Sequence, residues 1–344
     1  MTSPALSQTA ARARPSHVAV RRFLVAMLFA VVVYGGFAVW TGFGRMAGEL
    51  QRFGWWAFAA ACGLALGNYL VRWLKWEFYL ARLGITGVSR LDSLLTFLSG
   101  FVLTVTPGKV GEVFKSVVLS ETHGVPVERT AAIVVAERLT DVIGVVVLIV
   151  VGSLGFSGGL LWAGLGSAAV LVVLGVVASK RASHAIIALV DGLPRPFAGV
   201  GPKLHAAYDS LATMVRPANL VAPTLLSIVA WSLECAALWT ILRGLGQTTG
   251  FELAMFFYAT STLAGALVPV PGGLGVTEGS LQGWMQEFGH IPRAASTAAM
   301  ILVRFATLWF AVLVGFVSLS LLKRRHPGLL AGAAARGVGA GGAS

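Results

Sequence analysis

Pro107-Gly108-Lys109-Val110-Gly111-Glu112 and Pro271-Gly272-Gly273-Leu274-Gly275-Val276-Thr277-Glu278 are two versions of one motif, and both sit inside apolar sequence. The second copy carries a two-residue insertion, Val276-Thr277, ahead of its glutamate. From the glutamate onward the copies keep step: Glu112, Pro126 and Arg138 are answered by Glu278, Pro292 and Arg304 at a constant offset of 166. Upstream, Leu83-Gly84 answers Leu245-Gly246, so the repeats cover about 69–154 and 227–322. Proline lacks an amide hydrogen and glycine tolerates unusual dihedrals, so each Pro-Gly pair stops one helix and lets another start. Irregular backbone at membrane depth has to line protein or a water-filled cavity. Paired helix breaks in two halves of one chain are how secondary transporters build their sites.

Working outward, the chain is 56% hydrophobic and only 12% charged, with mean hydropathy +0.81. Soluble domains hold roughly 25% charged residues. The composition therefore indicates an all-α polytopic membrane protein and excludes a large soluble domain. The formal charge of +12 raises nucleic acid as a partner. The basic residues sit beside apolar spans, however, where they anchor to anionic headgroups, so no nucleic-acid role is expected. Cys62 and Cys235 lie in apolar spans and read as small buried residues. The six histidines are scattered without metal-ligand spacing, and no cofactor or metal is expected.

A helix needs ~20 apolar residues to cross the hydrocarbon core. Six stretches qualify: about 22–42, 55–79, 129–154, 159–179, 219–242 and 294–322. Arg12, Arg14, Arg21 and Arg22 before the first resemble the start of a signal peptide, but the run is as long as a span and reads as uncleaved. Two further apolar stretches, 91–106 and 251–270, each run into a Pro-Gly break. The N-terminus (1–21), the linker 180–218 and Lys323-Arg324-Arg325 are basic, and 155–158 has no charge. Placing the basic segments in the cytoplasm predicts six full spans plus two re-entrant helical hairpins. Both termini are then cytoplasmic, in the cell membrane, and the two copies are inverted. The tail 323–344 reads as disordered.

Charges inside spans face the bundle, because at the bilayer centre each costs ~2.5–3.5 kcal/mol. Glu137, Arg138 and Asp141 can share one helix flank. Arg304 is alone in its span and needs a partner from elsewhere, with Glu278 the natural candidate; Glu112 and Arg138 keep the same interval. The alternative is a buried ion pair that only fixes helix register. Asn68, Arg72 and Trp76 lie on one face, with Arg72 deep enough to line a site. Lys75 and Trp76 read as a snorkelling belt. Lys109 and Lys115 flank Glu112 and read either as anion capture or as positive-inside bias. Glu234, sharing a face with Trp231 and Leu238, is a proton or substrate residue, or a partner of Arg72 or Arg304. The restarted hairpin helices offer free N–H groups to a phosphate or carboxylate. No Gly-x-Ser-x-Gly elbow, His-Glu-x-x-His helix or P-loop ending occurs.

At these residues the chain resembles the membrane region of lysylphosphatidylglycerol synthases and its stand-alone relatives. The likeness rests on Pro107-Gly108-Lys109-Val110-Gly111-Glu112, Glu137-Arg138-Leu139-Thr140-Asp141, Pro271-Gly272-Gly273-Leu274-Gly275-Val276-Thr277-Glu278 and Arg304, in that order, over about Tyr69 to Leu322. In the synthases this region is regarded as the lipid flippase part, and aminoacyl transfer belongs to a separate soluble domain, which this chain is expected to lack. The resemblance implies a flippase-like protein, not an enzyme, whose partners are membrane lipids with anionic or phosphate-bearing headgroups. Relatives are also associated with polyprenyl-linked sugars and hopanoids, so the substrate does not carry over. On this reading the hairpin helix ends and Arg138 or Arg304 hold the phosphate, while Glu112 and Glu278 neutralise the arginines or carry a coupling proton. The rivals are a membrane-embedded transferase and a non-transporting accessory protein in lipid-linked sugar or hopanoid synthesis. The 180–218 loop shows no carboxylate pair suited to a nucleotide-sugar metal site. Nothing indicates an oligomeric state.

Overall fold

The computed structural model describes residues 17–105, 111–159, 161, 164, 165, 168, 217–268 and 270–329. Among them the regular structure is helical throughout. The expected span 159–179 falls mostly outside these residues, as do the linker and much of both tails. Pro107, Gly108 and Lys109 lie outside them too.

The chain opens with α1 (His17–Thr41) and α2 (Phe43–Arg52). They are bent by 95° at Gly42, whose φ of +90 suits glycine. The first repeat follows as α3 (Trp55–Arg82), α4 (Arg90–Ser99) with a 3-10 turn at Gly100–Leu103, α5 (Gly111–His123) and α6 (Val127–Ser153). The second has the same order: α7 (Pro217–Gly244), α8 (Phe251–Leu267) with a 3-10 turn at Pro271–Gly273, α9 (Val276–Glu287), and α10 (Arg293–Arg304). α10 continues through a π turn at Phe305–Trp309 into α11 (Phe310–Arg325).

The sequence repeat is a repeat of helix boundaries. Pro126 and Pro292 both sit extended, at ψ 131 and 144, immediately before α6 and α10. A proline cannot donate to a preceding turn, so each prevents the earlier helix from running on. The Leu-Gly pairs are helix stops. Gly84 and Gly246 take φ of +64 and +74. The next residue folds back in each copy, Ile85 N–H to Leu80 O at 3.0 Å and Gln247 N–H to Leu242 O at 2.9 Å. This satisfies carbonyls that a helix end would otherwise leave bare.

The two repeats pack reciprocally. α3 lies along α7, α8 of the second repeat lies against α6 of the first, and α4 of the first lies against α11 of the second. Glycine permits both exchanged contacts. A Cβ on Gly152 of α6 would stand 2.7 Å from the Phe256 backbone nitrogen, and one on Gly315 of α11 would stand 2.6 Å from that of Val102. Small residues let helices approach closely where lipid provides no hydrophobic drive. α3 shows its two faces plainly. Ala57, Ala61 and Ala65 are fully buried, while Leu66, Leu70 and Leu74 are 42%, 50% and 48% exposed. An exposed aliphatic stripe of that kind suits acyl chains rather than water.

Among the described residues, three helices are long and apolar enough to cross a membrane, Trp55–Arg82, Asn219–Gly244 and Arg293–Arg325. The bent α1–α2 pair makes up to four, against the six full spans expected. Besides the mostly undescribed 159–179, the difference lies in α6. That helix has 27 residues, but Glu128, Arg129, Glu137, Arg138 and Asp141 disqualify it as an apolar span.

At the end of the bundle where α11 stops, Asp92 at the start of α4 accepts from Arg325 Nε at 2.7 Å. His326 Nε2 lies 3.5 Å and His123 Nε2 lies 4.0 Å from the same carboxyl group. Burial pushes Asp92 up, but the hydrogen bonds from Arg325 and Ser89 and the charge of Arg325 outweigh it and hold the carboxyl below its ordinary range.

Candidate functional site

The second helix break packs against Val105, the last described residue before the first. A Cβ on Gly272 would lie 3.6 Å from the Val105 Cα, just ahead of the first Pro-Gly pair, and Val105 packs in one apolar cluster with Leu274 and Leu308. Beside this contact a cavity of about 120 Å³ is lined by Arg72, Arg138, Trp231, Glu234, Tyr258, Gly272, Gly273 and Arg304, among others. It draws on both repeats. Arg138 and Arg304, equivalent in the sequence repeat, both reach it.

Of three charge clusters, two border the cavity. In the first, Asp141 of α6 receives Lys75 Nζ at 2.6 Å and Ser227 Oγ at 3.0 Å. Arg72 Nη2 stands 3.6 Å and Arg138 Nη1 4.0 Å from its other oxygen. Lys75 also donates to Ser227 at 2.8 Å and is 1% exposed. An ammonium with no water must spend its protons on protein oxygens, and Asp141, Ser227 and Thr140 supply them. Arg72 differs: its Nε is buried without a hydrogen-bond partner. The guanidinium sits 6.0 Å from the ring centre of Trp231 and 5.9 Å from that of Phe101.

In the second cluster Glu137 points away from the cavity and pairs with Lys115 of α5. The Lys115 ammonium lies 4.5 Å from the Trp76 ring centre, within cation–π reach. On α6 Asp141 lies between the directions of Glu137 and Arg138, so the three share a flank, with Glu137 turned toward Lys115 and Arg138 toward the cavity.

The third cluster locks the second break. Arg304 Nε donates to Glu278 Oε1 at 2.6 Å and its Nη2 donates to Gly272 O at 2.8 Å. Glu278 Oε2 accepts the Gly275 N–H at 2.7 Å. The expected pairing of Glu278 with Arg304 is therefore present. The expectation of a helix end open to anions is corrected here: the α9 N-terminus already holds a carboxylate of its own, in the manner of half a capping box. Gly272, Gly273 and Gly275 all have positive φ, so the turn after Pro271 needs glycine at each.

Glu234 of α7 accepts from Tyr258 of α8, rather than from Arg72 or Arg304, the second of its two readings. Asn68 and Trp76 do not join Arg72 at the cavity. Asn68 Nδ2 bonds Ala230 O at 2.7 Å across the α3–α7 seam, and Trp76 is fully buried. Leu238, one turn from Glu234, lies in the core. Lys75 is corrected from a snorkelling residue to a buried partner of Asp141, because the polar groups that satisfy it come from α6 and α7. Gly111 begins α5, but its surroundings and the side chain of Glu112 lie outside the described residues. Sequence reasoning missed Tyr258 and Ser227 entirely. The available signal was that an intramembrane acid needs a donor, though neither residue is marked by charge or spacing.

Comparison with known proteins places these residues in context. A family model described as "Lysylphosphatidylglycerol synthase TM region" matches residues 27–315. The chain is also 22% identical over 310 residues to a UPF0104 membrane protein of Methanothermobacter thermautotrophicus, covering 81% of this chain and 87% of the relative.

Proposed function

The chain belongs to the lysylphosphatidylglycerol synthase TM region family, and from that premise together with the cavity we propose that it is a lipid transporter, not an enzyme, which moves a phosphate-bearing headgroup between leaflets. The observation that carries this reading is Arg72. It lines the cavity with Arg138 and Arg304, and shares Asp141 with Lys75 at the longer distance of 3.6 Å. Its Nε is unused. Three cations on one carboxylate leave positive charge for an incoming anion, and a guanidinium fits phosphate oxygens two at a time. The exposed aliphatic stripe on α3 is where acyl chains would lie while the headgroup occupies the cavity.

With the basic segments in the cytoplasm, the two copies are inverted across the membrane and the cavity lies between two re-entrant hairpins. Both termini are cytoplasmic and the membrane is the cell membrane. Inverted repeats exchange conformations when access alternates, and the reciprocal packing of α4 on α11 and α8 on α6 is what such an exchange would use. In the present state the second break is closed by Glu278 and Arg304.

Transbilayer movement of labelled lipids in proteoliposomes tests the proposal. Phospholipid movement should exceed that of protein-free vesicles. Arg72→Gln should slow it roughly 10- to 100-fold, the worth of one charge-assisted contact of about 1.5–3 kcal/mol. Equal rates with and without protein, across anionic, zwitterionic and isoprenoid-linked lipids, would refute it.

A further inference from the structure

We propose that Glu234 is a proton-binding site linked to anion capture, so that the cavity takes up one proton when a phosphodiester headgroup enters. The inference rests on the headgroup reading above and adds what balances its charge. Asp92, Glu137, Asp141, Glu234 and Glu278 are the buried carboxylates among the described residues. Four of them have a cation within 4.0 Å. Glu234 has none there, and its hydrogen bond comes from Tyr258. An ionised carboxylate held away from water without a cation is unfavourable by several kcal/mol, and this one borders the cavity.

The groups that face it come from every neighbouring element. They are Tyr258 of α8, Tyr69 and Arg72 of α3, Asp141 of α6, and Arg304 at the end of α10. Thr307 in the π turn completes the set. While ionised, Glu234 offsets part of the arginine charge. An entering phosphodiester brings a second negative charge into the same cavity. Protonation of Glu234 removes one of the two. The proton comes from water reaching the cavity and returns to water when the anion leaves; no covalent bond to the lipid forms or breaks.

The local hydrogen bonds accommodate both states. With Glu234 ionised, Tyr258 donates to it. With Glu234 neutral, its O–H donates to Tyr258 Oη. The tyrosine hydrogen then turns to Thr307 Oγ1, 3.4 Å away. Thr307 can accept because its own hydrogen is committed to Val303 O at 2.8 Å. The π turn contributes too, since the Thr307 carbonyl is held by the Tyr69 hydroxyl at 2.8 Å. Neither protonation state strands a buried polar group.

Titration calorimetry of the purified full chain tests this with short-chain phosphatidylglycerol, whose phosphodiester keeps one charge across pH 5–9. Running it in two buffers of different ionisation enthalpy counts the protons taken up. The wild type should take up close to one proton, with affinity falling toward tenfold per pH unit above the midpoint. Glu234→Gln should bind with no uptake and no pH slope, and Tyr258→Phe should shift the midpoint while keeping the slope. Melting curves confirm that both variants fold. No binding at any pH would overturn the headgroup reading and this inference with it. Wild-type binding without uptake would overturn the proton site alone. Uptake that persists in Glu234→Gln would place the proton elsewhere. Binding of short-chain phosphatidylethanolamine but not phosphatidylglycerol, lost in Glu234→Gln, would make Glu234 an ammonium site instead.

Discussion

Arg304→Ala is the substitution whose cost the geometry constrains best. It removes a guanidinium that gives one hydrogen bond to Glu278 Oε1 and one to Gly272 O. It leaves a carboxylate with 0% exposure, held by the Gly275 N–H alone. Stranding a buried charge costs about 3–5 kcal/mol. Glu278→Ala should cost a similar amount, since it strands Arg304, plus about 1 kcal/mol for the lost helix cap. With both removed, no bare charge remains. The double variant should fall short of the sum by roughly 3 kcal/mol, the upper end for contacting residues. Glu278→Gln separates charge from shape: its amide oxygen still accepts the Gly275 N–H, so any loss reports the unpaired arginine. Reversible unfolding in mixed micelles, driven by a denaturing detergent and followed by tryptophan fluorescence, measures all four states. Losses that add within ~0.5 kcal/mol would mean the two side chains do not interact, and the account of how the second break is locked would fail.

Two further outcomes follow from other parts of the fold. Gly152→Ala and Gly315→Ala place a methyl against backbone at 2.7 and 2.6 Å, so each should destabilise by about 1–3 kcal/mol. Gly63→Ala, with nothing within 4 Å, should be neutral or slightly stabilising in the same unfolding assay, and equal effects at the three sites would refute the close approach. His123 is held below its ordinary range by burial, with Asp92 opposing and His326 adding. A lowered folded value means the unfolded chain binds the extra proton, so this contribution to stability is present above about pH 6.5 and lost as the pH falls. Asp92 is also lowered, so its contribution is intact down to about pH 4 and lost below it. Melting temperature should therefore drop between pH 7.5 and 5.5 and flatten in His123→Gln; an unchanged slope in that variant would refute the assignment.

The repeat marks real boundaries: at the offset of 166, α6 and α10 both start one residue after their prolines, and the Leu-Gly pairs farther upstream both end helices. These are backbone effects, local and carried by residue types with few alternatives. Glu278 and Arg304 were legible as a pair for a different reason, because a lone arginine in a span must have a partner. Lys75 is misread because a lysine near a span end looks the same in sequence whether it snorkels or turns inward, and Lys115, read as anion capture or positive-inside bias, pairs instead with Glu137. Only the position of α6 decides, and that is tertiary. The α9 N-terminus was read as open because helix-end reasoning counts N–H groups; Glu278 folding back onto one of them depends on the turn that three positive-φ glycines create. Glu234 was flagged, but its partner was not. Tyr258 sits in an apolar run where a tyrosine and a phenylalanine carry the same weight.

The exchange of helices between the repeats has a consequence for how the chain is made. When the ribosome has completed α4, the groove that receives it does not exist, since Gly315 has yet to be made. The first half emerges with a hairpin arm that has nowhere to seat and a flank of α6 open where α8 will lie. Insertion and folding are therefore separate in time: the early helices wait in the bilayer, or in the hands of the insertion machinery, until the last one is delivered. Chains cut short before α11 should accumulate as substrates for membrane proteases, whereas two halves synthesised as separate polypeptides retain every surface they need to find each other.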